Sequence, residues 1–221
     1  MSDTDPRPGP LWFRENDGLE FDRHSFFNDA VFAIAMTLLI VTIAVPAIRD
    51  TTSSHDLARA LRTMLPQFVA FFIGFAVLGN YWMANNRFTS HLRGIEPAYV
   101  GIGLVYLAFV AWLPFPTALL GEYSRNPVAV ALFALSAGMV SLLEAMLLRR
   151  ADRVGLLRQE LPRPVYRYAL TASLLPVVVF VFSVPIAFLN TYVGIATWAL
   201  ALPAQVVLDR NKPEAFDSYF H

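Results

Sequence analysis

Six stretches of about 20 mostly apolar residues, parted by short polar breaks, leave this chain few ways to fold. A bilayer core about 30 Å thick takes about that many helical residues to cross. The stretches run from Phe26 to Ile48, Leu65 to Ala84, Ala98 to Leu120, Val128 to Leu148, Tyr168 to Leu189 and Tyr192 to Leu208. They predict an all-α integral membrane protein with six transmembrane helices, one domain per subunit. Composition agrees: 56% of the residues are hydrophobic and 15% are charged, against about 25% charged in an ordinary soluble domain.

The breaks are Arg49 to Arg62, Asn85 to Glu96, Gly121 to Asn126, Arg149 to Arg167, and Asn190 with Thr191. So short a last break predicts a tight hairpin between the fifth and sixth spans. Pro176 and Pro185 are expected to kink the fifth span and Pro203 the sixth, the freed carbonyls being met by neighbouring helices. Residues 1–20 are expected as a flexible N-terminal tail, 21–210 as the six-helix transmembrane domain and 211–221 as a second tail. The N-terminal segment carries acids and prolines but no apolar run, so it does not read as a cleaved signal peptide, and the first apolar segment is expected to be retained.

Lys and Arg are unevenly shared. With the N-terminus inside, cytoplasmic segments hold thirteen and outer loops four, which predicts that both termini are cytoplasmic. The Arg-rich fourth loop serves as the topological determinant, with anionic lipid as a secondary partner. Tyr81, Trp82, Tyr99, Trp112, Tyr192 and Trp198 are candidates for interfacial belts. Zero net charge gives no reason to expect a nucleic-acid partner. Without cysteine there is no disulfide framework or thiolate metal site. His24, His55, His91 and His221 have no metal-ligand spacing, so no metal or cofactor is expected. There is no nucleotide-binding glycine loop or nucleophile elbow, which argues against an enzyme. No charge stands at the middle of a span and no internal repeat is visible, which argues against a secondary transporter.

The most informative stretch is Phe21 to Pro46, FDRHSFFNDAVFAIAMTLLIVTIAVP. It sets Arg23 and Asp29 at one edge of an apolar helix. An intramembrane carboxylate is costly and needs a partner. Six residues at about 100° each put Arg23 on a different face, so both partners are expected on other helices. With Asp29 as zero, Ala30, Ile34, Thr37, Val41, Val45 and Ile48 fall between about 80° and 160°. Periodicity alone leaves open whether this stripe meets lipid, core or a pore. A ring of such side chains would suit a gate that closes by dewetting. Glu144, near Arg149 and Arg150, reads as a snorkelling interfacial pair.

Arg23, Phe27, Asn28 and Asp29 match the pattern Arg-x-x-x-Phe-Ser-Asp with one change. The following AVFAIAMTLLIV resembles the first span of the lysosomal potassium channel family, transmembrane protein 175, especially its prokaryotic members. Tyr81-Trp82-Met83 and Leu113-Pro114-Phe115-Pro116-Thr117 extend the resemblance over about residues 20–120. It implies a homotetramer in a bacterial inner membrane that passes potassium better than sodium, with the first span of each subunit around a central pore. Carried over, the hydrophobic constriction falls on Ile34, with Thr37 and Val41 above it and Leu38 as a further lining candidate. Arg23, Phe27, Asn28, Asp29, Trp82 and Asn85 would form the polar network that holds this span. A proton-permeable leak is the alternative within the channel class. This chain departs from the family pattern at Asn28, where serine is usual, at Asn85, where a histidine is expected, and at Gly103, where asparagine is usual.

Overall fold

In an apolar medium a backbone N–H or C=O has only the chain itself to bond with, and an apolar run satisfies both by coiling into a helix. The computed structural model describes residues 13–14, 18–210, 212, 213 and 216. These form helices α1 (Gly18–Val41), α2 (Ser54–Thr63), α3 (Leu65–Thr89), α4 (Pro97–Trp112), α5 (Pro114–Glu122), α6 (Pro127–Val154), α7 (Arg163–Leu189), α8 (Thr191–Ala196) and α9 (Ala201–Arg210), with two-residue strands β1 (Phe13–Arg14) and β2 (Gly94–Ile95). Six candidate spans result: the apolar part of α1, α3, α4 with α5, α6, α7, and α8 through a 3-10 turn into α9. The expected all-α, six-span fold is the one observed.

Local chemistry moved several boundaries. The first span was expected to reach Ile48, but α1 stops at Val41. Pro46 has no N–H to return to the Thr42 carbonyl, its ring would clash there, and it bars Val45 from helical geometry. Val45 and Ile48 therefore leave the helical stripe. The first polar break holds α2, begun by the Ser53 hydroxyl accepting from Asp56 N–H at 3.2 Å. The third span divides at Leu113, where Pro114 takes the first position of α5, the one place in a helix where a missing N–H costs nothing. α6 outruns its expected end at Leu148 by six residues and stops at Gly155, whose φ of 67° is the left-handed conformation that glycine adopts without penalty. α7 begins at Arg163, not Tyr168, and runs uninterrupted past Pro176 and Pro185. Of the expected tails, only 13–14, 18–20, 212, 213 and 216 lie within the described residues.

The core centres on α6, which packs against α7, α4 and α5. Its buried face carries many small residues (Ala134, Ala137, Gly138, Ser141 and Ala145 among them), and small side chains let helix backbones come close. Polar side chains on that face bond across helices. Tyr81 on α3 donates to the Ala137 carbonyl at 2.7 Å, and its hydroxyl lies 2.9 Å from Ser141 Oγ. Trp112 donates to Ser136 of the same face, and Trp198 to Ser183 of α7. At the end of the bundle where α1 begins, β1 pairs antiparallel with β2. There too the Arg93 N–H donates to the Leu156 carbonyl and the Arg158 N–H to the His91 carbonyl, stitching two interhelical segments together.

The tight hairpin expected between the fifth and sixth spans rests on Gly194, where a Cβ would stand 2.7 Å from Ala187 Cα. At Gly101 a Cβ would meet nothing within 4 Å. Gly194→Ala is therefore expected to destabilise the protein by about 1–3 kcal/mol through overpacking against backbone, whereas Gly101→Ala is neutral or stabilising by up to about 1 kcal/mol. Thermal unfolding of the two variants in the same detergent checks the contrast.

Candidate pore-lining helix

Two opposed faces organise α1. Asn28, Phe32, Ala35 and Leu39 are buried, at spacings of four, three and four, and form the face packed on α3 and α4. On the scale with Asp29 at zero they fall near 270°, about 150° from the Ile34, Thr37 and Val41 stripe. That stripe is accordingly exposed in the single subunit: Ile34 is 58% exposed, Leu38 43% and Val41 74%. Thr37 spends its hydroxyl proton on the Ile34 carbonyl at 2.9 Å, the ordinary habit of a helical threonine, which leaves the oxygen's lone pairs directed outward.

The polar residues named from the sequence are brought together only in part. Asp29 and Trp82 meet: the indole N–H donates to the carboxylate at 2.9 Å and ties α1 to α3. Asn28 and Asn85 are both buried, but among the described residues no hydrogen bond joins them. Phe27 and Arg23 point outward with the stripe, and among the described residues Arg23 forms no ion pair within the subunit.

Two other expectations are corrected. Glu144 does not pair with Arg149 or Arg150. Ser173 of α7 donates to it at 3.4 Å, while Arg150 pairs with Glu96. Steps of five and six residues put both arginines on other faces of α6, and only steps of three or four would align them. Tyr81 and Tyr99 are not interfacial, since both are buried in the core. The sequence reading also missed a buried polar stripe on α3, Tyr81, Asn85 and Thr89, though its four-residue spacing was visible in the chain.

Among these contacts, the Asp29–Trp82 bond is the direct side-chain link between α1 and α3. Trp82→Phe keeps the ring packing and removes the donor, so it is expected to cost about 1.5–3 kcal/mol, as for a hydrogen bond to a charged group. An Asp29→Asn, Trp82→Phe double-mutant cycle read by thermal unfolding checks it, with strongly sub-additive losses expected.

Fold and site together define a six-span helical membrane protein that turns one face of its first helix away from its own bundle. Residues 23–114 match the profile of the family described as the endosomal/lysosomal potassium channel TMEM175. The first half of this chain is thus similar to that family. A Streptomyces collinus protein named as a potassium channel is 36% identical over 120 residues, which cover 52% of this chain and 57% of that one. A mouse protein named as the endosomal/lysosomal proton channel TMEM175 is 34% identical over 114 residues, covering 49% of this chain and 23% of its own length. The chain thus spans little more than half of the bacterial relative and under a quarter of the mouse one. The fold is that of a solved structure described as a lysosomal potassium-selective channel TMEM175 homolog from Chamaesiphon minutus. The TM-score is 0.73 at 24% identity, with 86% of this chain and 98% of that one covered.

Proposed function

We propose that the protein is one subunit of a passive, potassium-permeable channel in which copies of α1 surround a central pore. The observation that carries this reading is the outward apolar stripe of α1, set opposite its packed face and lying within the residues that match the channel family. In a homotetramer the Ile34 side chains would form the narrowest ring, with Thr37 and Val41 further along and Leu38 at the margin. An apolar ring offers an ion nothing in exchange for its water, so passage favours the cation that gives up water more readily, potassium over sodium. The outward lone pairs of Thr37 supply weak compensation beyond the ring. No cofactor enters this scheme. The excess of arginine in the N-terminus, the second and fourth loops and the tail supports placing both termini in the cytoplasm, with a bacterial inner membrane as the location.

Liposome flux tests the reading. Ile34→Asn introduces a polar ring and is expected to raise cation flux and lower the preference for potassium over sodium, while a lipid-facing position such as Phe182 changed to Leu leaves both unchanged. Unaltered flux and preference in Ile34→Asn would remove α1 from the pore. The name of the mouse relative favours one further reading, proton permeation. Current that reverses at the proton equilibrium potential, and does not shift with the potassium gradient, would select it.

A further inference from the structure

Buried side-chain oxygens are nearly always hydrogen-bonded, so those that are not ask for an explanation. Asn28 Oδ1 on α1 and Tyr106 Oη on α4 both lack a partner among the described residues, although Asn28 is 7% exposed and Tyr106 1%. Their places in the bundle are related. Asp29 meets Trp82 and Leu39 approaches Gly74, so α1 and α3 are antiparallel. Phe88 packs on Tyr99 and Gly74 lies beside Thr117, so α3 is antiparallel to the third span as well. Helices α1 and α4 therefore run in the same direction, in register where the Phe32 and Tyr106 rings stand 6.0 Å apart. Helical side chains lean toward the N-terminus of their helix. The Tyr106 hydroxyl is thus carried toward the turn that holds Gly103, and Asn28 lies one turn before Phe32, at the same level on α1.

Gly103 is buried, yet a Cβ built there meets no atom within 4 Å. Gly79 and Gly101 have equally open surroundings but are not buried, while Gly74, Gly121 and Gly194 each have a neighbour within 3 Å. Gly103 thus combines enclosure with space. A buried site holds water when it has room for one molecule and offers at least two polar partners; the helix register sets the open space at Gly103 at the height of the two unpartnered oxygens.

The geometry points to a hydration site inside each subunit, beside Gly103, in which water donates to Asn28 Oδ1 and accepts from the Tyr106 hydroxyl. Water is the fitting ligand because one oxygen needs a donor and the other group has a proton to give, with space for a molecule no larger. The site links α1 to α4 through an exchangeable molecule where a direct side-chain bond is absent. An asparagine at 103 would reach into the same space with its own amide and displace the water. The site lies within one subunit, so its occupancy does not depend on which ion crosses the assembly.

Radiolytic footprinting of the intact protein in lipid nanodiscs tests this, because hydroxyl radicals formed from bound water modify buried side chains beside it. Tyr106 is expected to be oxidised at a rate several-fold above Phe133, which is comparably buried and packs instead on Phe180 and Trp198. In Gly103→Asn the Tyr106 rate is expected to fall toward that control. Wild-type labelling of Tyr106 no greater than that of Phe133 would overturn the proposal without recourse to any variant. Strong labelling that Gly103→Asn, folded as judged by an unchanged gel-filtration profile, leaves unaltered would overturn the placement beside Gly103.

Discussion

The whole architecture follows from the expense of an unsatisfied polar group in an apolar medium. That constraint first makes the backbone helical, then decides which side chains tie the helices together. The hydroxyl of Tyr81 reaches across to α6 and finds both a carbonyl and Ser141. Trp112 and Trp198 each place an indole N–H on a serine. Asp29, inside α1's apolar span, is met by Trp82. Each of these bonds needs two helices at a fixed height and rotation. Tight packing at Gly74, Gly121 and Gly194 sets the same relations by contact, since a single added carbon at any of them would collide with a neighbour. Apolar burial supplies little association energy between helices already surrounded by lipid, so such close packing and cross-helix bonding fix the arrangement.

Exposure alone does not distinguish a pore face from a lipid face. The spans α7 and α8–α9 also present large apolar residues outward, Val181, Phe182, Leu189 and Val206 among them, as a lipid-facing surface requires. Two features set α1 apart. Its outward face is joined to a charged edge at Arg23 that, among the described residues, forms no ion pair. The family match also begins at residue 23 and ends at 114, so it covers α1, α3 and α4 and leaves out α6 to α9. The half of the molecule that resembles the channel family is the half containing the outward stripe, while the other half, led by α6, braces it.

What could be read in the chain and what could not divide along physical lines. The spans were legible because a run of about 20 apolar residues has only one common use. Their ends were not, because a helix end depends on a single residue's backbone: Pro46 cut α1 short of Ile48, Gly155 let α6 run past Leu148, and Ser53 started a helix inside a polar break. The rotation of α1 was legible from periodicity. Burial of Asn28, Phe32, Ala35 and Leu39 then settled which side is packed, a question periodicity leaves open. Partner choice was the least accessible. Asp29 needed a partner on another helix and Trp82 was among the residues named, but nothing in the spacing of Glu144 and Arg150 revealed that Glu96 would take the arginine and Ser173 the carboxylate.

The changes at Asn28, Asn85 and Gly103 gain meaning when read together. A serine at 28 would be shorter than asparagine, and an asparagine at 103 would fill the space that glycine leaves. Against the pattern this chain resembles, the longer polar side chain stands on α1 and none stands on α4 at position 103. A bond made by a fixed amide on α4 holds α1 at one height. An amide on α1 met by the water proposed above would tolerate small shifts of the helix, because the water could follow it. In an assembly whose narrow ring is made by side chains of α1, a displacement of a fraction of an ångström at each copy changes the ring's width from every side at once. In the channel proposed above, the stiffness of the contact behind α1 would bear on the width of the pore, though no residue of that contact would touch an ion.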